Sequence, residues 1–293
     1  MTAAWPDPNE YPFAPHYLDV SGGRMHYLDE GAGEPILFVH GTPTWSFLYR
    51  HLIHDLRQDH RCIALDHIGF GRSDKPADWG YSFADHARNL AALIDHLGLR
   101  SFTLVTHDLG GPISLSYALD HPGNVTRLLL FNTFMWPMTG EFAVPAVGKL
   151  FGGPVGRLLY LQLNASARAL LPLVYADRAK LTPAIHQQYI APFARPADRH
   201  GMYAFAQQMA AGAPWCARLW ERRAALADLP ARIVWGMKDP AFGPRYLARW
   251  REILPYAELL ELPDVGHFPQ EEAPAASIGA LRGLLAAAKS ADW

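Results

Sequence analysis

The segment Thr-His-Asp-Leu-Gly-Gly at residues 106–111 is the part of the chain best suited to chemistry. It lies between an apolar β-like run and a helical pattern, where a tight strand-to-helix turn would push one side chain out above the sheet. Gly110, two positions after Asp108, suits the crowded backbones of such a turn, whereas Thr106 is bulkier than the usual glycine. Alternatively, an aspartate at this position could have only a structural role, as the N-cap of the next helix. The segment makes Asp108 a candidate nucleophile if suitable partners follow.

Two later loops supply those partners. Asp239 lies just past one β-like run, and His267 lies just past the next. Histidine can accept and return a proton near neutral pH, and an acid can orient it. Each residue alone would be an ordinary turn or loop residue, but the order nucleophile, acid, histidine across successive strand ends predicts a catalytic triad of Asp108, Asp239 and His267.

The segment His40-Gly41-Thr42-Pro43 follows another short apolar run. A glycine at this point lets the backbone bend so that an N–H group faces the site. We expect the N–H groups of Thr42 and of Leu109, the residue after the nucleophile, to form an oxyanion hole. Taken alone, a segment of this kind is often only a turn. Its position ahead of the Asp108 turn is what favours an oxyanion hole.

A carboxylate nucleophile changes the reaction that the triad can perform. Asp108 is ionised at neutral pH, so its attack does not need His267. A carboxylate is a poor nucleophile toward esters and amides, but it can displace a halide from an sp³ carbon or open a strained epoxide. The product is an alkyl ester of Asp108, which water activated by His267 would hydrolyse. Loss of His267 should therefore trap the ester.

The elements that must position these residues alternate between strands and helices, which predicts a mainly parallel sheet covered by helices. From residue 135 to 229 the alternation stops, and this segment is expected to be a helical cap. The expected domains are therefore a core of residues 1–134 and 230–293, and a cap of residues 135–229. The predicted strands are 16–20, 24–29, 36–39, 62–65, 102–106, 125–131, 232–235 and 259–262. The predicted helices are 46–56, 82–97, 111–119, 244–254 and 275–288.

Composition excludes several classes of protein. With 50% hydrophobic and 18% charged residues, the chain is typical of a compact enzyme. Its net charge of −2 favours neither nucleic acid nor a membrane surface as partner. The 14 histidines form no spaced metal-ligand cluster, and neither a metal nor an organic cofactor is expected. Cys62 and Cys216 are expected to be buried free thiols.

The sequence also gives an expected location and assembly. The first residues lack the basic and apolar regions of a secretory signal, and no run of about 18 apolar residues occurs. We therefore expect a soluble cytoplasmic protein with no membrane partner. Either a monomer or a homodimer is compatible with the sequence.

Five segments resemble one branch of a known family. They are HGTPTW (40–45), DHIGFGRSDKP (66–76), THDLGG (106–111), WGMKDPAF (235–242) and DVGHFPQEE (264–272). From about residue 17 to the last helix, the chain resembles the haloalkane dehalogenase and epoxide hydrolase branch of the α/β-hydrolases. The resemblance implies the α/β-hydrolase fold, with a mostly parallel eight-stranded sheet and a helical cap after the sixth strand. It also implies an aspartate nucleophile and an Asp or Glu acid. Asn132 stands where some relatives place that acid, but an amide cannot serve, which favours Asp239.

The leaving group is where the two substrate classes differ. A departing halide needs weak donors in a dry pocket, typically indole N–H groups, whereas an epoxide oxygen needs an acid, usually a pair of cap tyrosines. The resemblance implies a tryptophan after the nucleophile and often an asparagine before the proline, but this chain has Leu109 and Thr42. Candidate contacts with the substrate or leaving group are His40, Pro43, Trp45, Trp136, Tyr175 and Trp215. Trp220 is a further candidate indole, and the cap tyrosines available for epoxide opening are Tyr160, Tyr175, Tyr189 and Tyr203. Packing explains each of these aromatic residues, Trp45 and Trp136 included, more readily than a contact with the leaving group.

The main hypothesis is hydrolytic dehalogenation of a small apolar haloalkane, and the alternative is epoxide hydrolysis to a diol. A small-molecule binding protein of the same fold is a third hypothesis, but such proteins commonly lose a triad member. A carboxylesterase is disfavoured by an aspartate in the place of serine. The cap is expected to enclose a largely apolar cavity. Its expected lining residues are Phe142, Leu150, Phe151, Leu170, Leu173, Phe205 and Met209.

Overall fold

One eight-stranded sheet forms the centre of the protein. The computed structural model describes residues 5–138 and 153–289, with side chains described as far as residue 287. The strands are β1 (His16–Val20), β2 (Gly23–Glu30), β3 (Pro35–Val39), β4 (Arg61–Leu65), β5 (Phe102–Asp108), β6 (Val125–Thr133), β7 (Ala231–Gly236) and β8 (Glu258–Leu262). All eight coincide with the predicted strands to within two residues.

The strand order is β1-β2-β4-β3-β5-β6-β7-β8. β1 pairs antiparallel with β2, and β2 pairs antiparallel with β4. Every other pair in the sheet is parallel. The carboxyl ends of β3, β5, β6, β7 and β8 therefore lie along one edge, where ligands bind in open α/β sheets.

Helices cover both faces of the sheet because alternate side chains of each buried strand point to opposite faces. In β3, Ile36 and Phe38 belong to one apolar cluster, and Leu37 and Val39 belong to the other. The helices of the core are α1 (Arg50–Leu56), α2 (Phe83–His96), α3 (Gly110–Asp120), α7 (Pro244–Ile253), α8 (Pro269–Glu272) and α9 (Pro274–Lys289). A 3₁₀ turn at Ser46–Tyr49 precedes α1. The parallel sheet between two helical layers confirms the predicted α/β fold.

α2 begins at a capping box and ends before a glycine. The Ser82 hydroxyl accepts a hydrogen bond from the N–H of Asp85, and the Asp85 carboxylate accepts one from the N–H of Ser82. This reciprocal pair satisfies two N–H groups that the first helical turn leaves without intrahelical partners. Gly98 follows the helix with a φ of 62°, a conformation that glycine adopts without steric cost.

The described chain between β6 and β7 is mainly helical, with turns between the helices, and residues 153–230 contain no strand. The longer cap helices are α4 (Pro183–Ile190), α5 (His200–Ala211) and α6 (Ala213–Glu221). Short helical segments span Pro154–Arg157, Leu158–Gln162, Ser166–Leu170, Leu171–Leu173, Arg178–Lys180, Ala191–Phe193, Pro196–Arg199 and Arg223–Leu226. The helical cap after the sixth strand agrees with the sequence-based prediction.

The two cysteines and the lengths of the helices bear on the remaining expectations. Cys62 and Cys216 are both buried free thiols, as predicted. Within residues 5–138 and 153–289, no helix is long and apolar enough to cross a bilayer.

Candidate active site

Asp108 sits at a sharp turn between β5 and α3. Its backbone φ is 51°, in the left-handed region that non-glycine residues rarely adopt. The Thr133 hydroxyl donates a 2.5 Å hydrogen bond to the Asp108 carbonyl, which ties this strained residue to the end of β6. A Cβ atom at Gly110 would lie 2.6 Å from the Val39 carbonyl oxygen, so only glycine fits there without displacing β3. This geometry is the strand-to-helix elbow predicted from residues 106–111.

Backbone N–H groups face the Asp108 carboxylate. The Thr42 N–H donates to Oδ2 at 2.7 Å, and the Leu109 N–H also donates to this carboxylate. Burial raises the pKa of Asp108, while the charge of His267 and these two N–H groups counteract the increase. The structure thus brings together the two N–H groups that the sequence assigns to an oxyanion hole.

His40 supports the loop that carries Thr42. Its Nε2 accepts a 3.0 Å hydrogen bond from the His67 N–H, so its proton resides on Nδ1, which donates to the Gly41 carbonyl at 2.7 Å. Burial lowers the pKa of His40 to about 4, which keeps this imidazole neutral. Gly41 has no room for a side chain, because a Cβ atom would lie 2.2 Å from Asp108 Oδ2. His40 therefore supports the Thr42 loop and is not among the residues that line the cavity above Asp108.

His267 lies between two carboxylates. Its Nδ1 and Asp239 Oδ2 are 2.7 Å apart, and its Nε2 and Asp108 Oδ1 are 3.9 Å apart. An ionised carboxylate can only accept, so Nδ1 carries the proton and Nε2 presents a lone pair toward Asp108. Burial alone would lower the pKa of His267, but the charge and hydrogen bond of Asp239, followed by the charge of Asp108, raise it.

Asp239 is held in its ionised form by several donors. Burial alone would raise its pKa, but His267 and the N–H groups of Phe242 and Ala241 hold that pKa below its ordinary value. Asn132 adds a 2.8 Å hydrogen bond from Nδ2 to Asp239 Oδ2 and exchanges hydrogen bonds with the backbone of Gly236. The sequence excluded Asn132 as the acid but did not reveal this second role, which only the pairing of β6 with β7 creates.

The His267 backbone is fixed on both sides. Its N–H donates to the Val174 carbonyl of the cap at 2.9 Å, and its carbonyl accepts from His107 Nε2 at 2.8 Å. Burial, followed by the nearby charge of His267, lowers the pKa of His107 well below its usual range, so this imidazole is neutral. His107, in the elbow segment, therefore joins the nucleophile strand to the His267 loop.

A cavity of about 370 Å³ opens above Asp108 and His267. Most of its walls are apolar, as predicted for a site that takes uncharged substrates. Besides Asp108 and His267, its polar lining residues are Thr42, Tyr160, Ser166, Arg245 and Tyr246. Its apolar lining residues are Pro43, Met138, Leu170, Leu171, Val174, Met209, Pro240, Ala241, Phe242 and Phe268.

Of the predicted substrate contacts, Pro43 alone lines this cavity. The indole N–H of Trp45 donates to the Gln188 carbonyl, and that of Trp215 donates to the Pro112 carbonyl, so both are engaged elsewhere. Trp136 packs among Trp220, Tyr246 and Trp250. Tyr175 is buried against Phe268, outside the lining. These positions correct the expectation that Trp45, Trp136, Tyr175 and Trp215 contact the substrate.

The expected cap lining is found in part. Leu170 and Met209 line the cavity, whereas Leu173 is 55% exposed and Phe205 packs against Phe70 and His86. The remaining three, Phe142, Leu150 and Phe151, lie outside the described residues. Sequence reasoning missed Tyr246, Phe242 and Phe268, although Phe242 follows Asp239 by three residues and Phe268 is adjacent to His267. Their proximity to the triad in the sequence is a signal that could have identified the latter two.

No group of three or more histidine, cysteine, aspartate or glutamate side chains in the described ranges is arranged to hold a metal ion. In the His267 site, an imidazole lies between two carboxylates, those of Asp239 and Asp108. This arrangement suits proton transfer and covalent catalysis.

The fold and this site place the chain in a family. The family defined by the alpha/beta hydrolase fold matches residues 34–274, and the chain belongs to it. It is also 40% identical to haloalkane dehalogenase 2 of Mycobacterium tuberculosis, over 92% of this chain and 94% of that protein. Within the α/β-hydrolases, the chain is a hydrolase of the haloalkane dehalogenase-like branch.

Two other relatives bear on the substrate. The haloalkane dehalogenase DbeA of Bradyrhizobium elkani superposes with a TM-score of 0.83 at 30% identity, over 94% of this chain and 99% of that one. The cis-3-alkyl-4-alkyloxetan-2-one decarboxylase of Shewanella oneidensis is 36% identical, over 89% of this chain and 85% of that protein. Relatives with different named activities therefore share most of this chain's length.

The contacts of Asn132 lead to a prediction for Asn132→Leu. This change removes the side-chain partner of the Gly236 N–H and one donor to Asp239, and it leaves the Gly236 carbonyl with only a 3.3 Å hydrogen bond from the Asp239 N–H. We expect the free energy of unfolding to fall by about 2–4 kcal/mol, measured by urea denaturation, together with a slower turnover. Asn124→Leu is the control, because the Asn124 side chain donates to the Tyr117 hydroxyl far from the triad. Equal losses in the two variants would contradict a special role for Asn132.

Proposed function

We propose that this protein hydrolyses small haloalkanes to an alcohol and a halide, with Asp108 as nucleophile, His267 as base and Asp239 as the acid that orients it. The observation that carries the proposal is a buried carboxylate at the base of an apolar cavity, 3.9 Å from the Nε2 of a histidine that is itself bonded to a second carboxylate. The 40% identity to a haloalkane dehalogenase supports the halide as leaving group.

In the first step, Asp108 Oδ1 attacks the sp³ carbon that bears the halogen. The C–O bond forms while the carbon–halogen bond breaks, and the halide departs with the electron pair. Oδ2 remains bonded to the Thr42 N–H at 2.7 Å, which leaves Oδ1 directed toward the cavity side of the site. Holding the carboxylate in one orientation supplies the proximity on which this displacement depends. No proton moves in this step.

In the second step, His267 Nε2 takes a proton from water, and the resulting hydroxide attacks the Asp108 carboxyl carbon. Negative charge then develops on Oδ2, to which the Thr42 N–H already donates, and the Leu109 N–H donates to the same carboxylate. Collapse of the tetrahedral intermediate breaks the ester bond, and the alkoxide takes the proton from His267 to leave as the alcohol. Asp108 is left as a carboxylic acid and releases its proton to solvent, which restores the carboxylate. Asp239 stabilises the imidazolium that forms in between.

The Thr42 hydroxyl is the group that we assign to the leaving halide. Among the described residues, no tryptophan lines the cavity. Thr42 Oγ1 is buried, lines the same cavity as Asp108, and has no hydrogen-bond partner in the described part of the chain. A buried hydroxyl without a partner loses the free energy of a hydrogen bond, which a halide would restore. Thr42 would then serve the carboxylate through its N–H and the halide through its hydroxyl.

A second candidate reaction is the opening of an oxetan-2-one. It is favoured by the 36% identical decarboxylase and by the absence of an indole from the described cavity lining. Asp108 could attack the sp³ ring carbon bonded to oxygen, which would release a β-carboxylate. Loss of CO₂ would then form the C=C bond and expel Asp108 as a carboxylate. In this sequence no ester hydrolysis by His267 is needed, which separates the two candidates experimentally.

The epoxide alternative requires two hydroxyl acids at the epoxide oxygen. Of the four cap tyrosines considered for that role, only Tyr160 lines the cavity. The Tyr189 hydroxyl instead donates to Glu271. Tyr246 of the core also lines the cavity, but its hydroxyl donates to Met138 Sδ. The described geometry therefore favours halide displacement over epoxide opening.

A His267→Ala variant tests the proposal directly. The first step needs no base, so we expect 1-bromobutane to add one butyl group to Asp108, seen by intact-protein and peptide mass spectrometry, with one equivalent of bromide released. Styrene oxide and a cis-3,4-dialkyloxetan-2-one are tested in parallel. A hydroxyalkyl adduct from styrene oxide alone would overturn the proposal in favour of epoxide hydrolysis. Undiminished turnover of the oxetanone to an alkene would favour decarboxylation.

A Thr42→Val variant tests the halide contact, because valine keeps the backbone N–H and the branched shape but removes the hydroxyl. Loss of one hydrogen bond should lower kcat/KM by roughly fivefold, or about 1 kcal/mol. The decrease should be larger for 1-chlorobutane than for 1-iodobutane, since chloride is the poorer leaving group. Equal effects on both substrates, in the same steady-state assay of halide release, would rule out a contact with the departing atom.

The pH dependence follows from the charges around His267. Only neutral His267 can accept a proton from water, so ester hydrolysis speeds up as the pH rises through its pKa. Asp108 contributes to the raised pKa of His267 in the free enzyme, but alkylation removes that charge. The acid-side midpoint for hydrolysis of the alkyl-enzyme should therefore lie below the His267 pKa of the free enzyme. Single-turnover kinetics and NMR titration measure the two values, and a midpoint above the free-enzyme pKa would contradict the mechanism.

A further inference from the structure

We propose that Glu272 is a positioning residue that fixes the His267 loop against the cap and adds a third negative charge near that imidazole, besides those of Asp239 and Asp108. The inference rests on the proposed role of His267 as base. It concerns a carboxylate that lies outside the triad and outside the lining of the cavity.

Glu272 joins two segments that are far apart in the sequence. Its side chain is buried, and Oε1 accepts a 2.9 Å hydrogen bond from the N–H of Gly266, the residue before His267. Oε2 accepts hydrogen bonds of 2.9 Å from the N–H groups of Ala176 and Asp177 in the cap. One carboxylate thus satisfies three backbone donors, one on the loop and two on the cap.

Other contacts hold the same two segments together. The His267 N–H donates to the Val174 carbonyl at 2.9 Å, and the Lys180 ammonium group donates to the Glu272 carbonyl. A Cβ atom at Gly266 would lie 2.2 Å from the Val174 oxygen, so the loop cannot approach the cap this closely with any larger residue. Val174 also lines the cavity, so the cap segment that contacts Glu272 contributes to the cavity wall.

A carboxylate is required at this position for a geometric reason. Glutamine has one acceptor oxygen and one NH₂ group, so one end of its amide would face a backbone N–H donor. Either Gly266 or the Ala176–Asp177 pair would then lose its partner. A buried N–H without a partner is costly, so the loop or the cap segment would have to move.

Charge supplies a second reason. The charged or titratable groups facing His267 are Asp239, Asp108 and Glu272, with neutral His107 at a ring-centroid distance of 4.6 Å. The groups facing Glu272 are Lys180, Tyr175 and the three N–H donors. Burial raises the pKa of Glu272, while its N–H donors and Lys180 counteract that increase. In its ionised form, Glu272 adds to the negative potential that favours the imidazolium of His267.

The test compares Glu272→Gln with Asp264→Asn. Asp264 is three residues before His267 and also carries a negative charge, but its side chain is 88% exposed and paired with Lys238, so solvent screens it. We expect Glu272→Gln to lower the His267 pKa in ¹⁵N NMR titrations of the free enzyme. Asp264→Asn should leave that pKa unchanged. Equal pKa values in Glu272→Gln and the unsubstituted protein would overturn the electrostatic part of the inference.

Kinetics test the positioning part. A misplaced base should slow hydrolysis of the alkyl-enzyme by about 10–100-fold, whereas alkylation by Asp108, which needs no base, should stay within about threefold. Rapid-quench measurements with 1-bromobutane separate these two steps. A purely structural defect would lower both rates together and would overturn the positioning role.

Glu272→Asp separates reach from charge and covers the case in which the glutamine variant fails to fold. Aspartate keeps the charge but is too short to reach both segments. We expect hydrogen exchange to speed up at Gly266, Ala176 or Asp177, with a His267 pKa nearer to that of the unsubstituted protein than in Glu272→Gln. Unchanged exchange at all three amides would overturn the bridge. Because NMR and exchange use no substrate, these results stand even if the unsubstituted protein turns over no haloalkane.

Discussion

A carboxylate buried at the base of an apolar cavity is the constraint on which the rest of the site depends. Removing the Asp108 charge from water costs free energy that the surrounding groups must offset. The offsetting groups are two backbone N–H donors and the imidazole of His267, and each comes from a different strand end. The elbow at φ 51° and the closely approached glycines follow from the need to bring those strand ends within hydrogen-bond distance. Backbone strain at Asp108 is thus part of how the site is assembled.

The surrounding histidines show how the fold keeps one imidazole basic among several. His40 and His107 are buried without a carboxylate partner at hydrogen-bond distance, and burial lowers the pKa of both. His267 is equally enclosed, but Asp239 lies 2.7 Å from its Nδ1, and its pKa rises. The difference lies in the charges around each ring and not in exposure. Neutral His40 can therefore serve as a rigid hydrogen-bonding support for the loop that carries Thr42, and neutral His107 can do the same for the His267 loop.

The sequence predicted the features that depend on order along the chain. The alternation of strands and helices and the succession of Asp108, Asp239 and His267 are signals of this kind, and the structure brings the three residues together as expected. The aromatic contacts were predicted less well, because an indole near a strand end can point either into the cavity or into the surrounding core. The N–H groups of Trp45 and Trp215 bond to backbone carbonyls that are 143 and 103 residues away in the sequence. The roles of Asn132 and Glu272 likewise depend on pairings between distant segments, which no local pattern records.

Displacement moves the negative charge from Asp108 to the leaving halide, so donors are needed at both ends of the reacting bond. In the proposed mechanism, Thr42 meets both needs, with its N–H on Oδ2 and its hydroxyl on the halide. Since both donors belong to one residue, the halide must lie close to the carboxylate that displaces it. In-line attack, however, places the nucleophile and the leaving atom on opposite sides of the carbon. A small, unbranched carbon centre meets both requirements most readily, because less of the substrate then separates the leaving atom from Thr42. The shape of the cavity next to Thr42, more than its total volume of about 370 Å³, would therefore select the substrate.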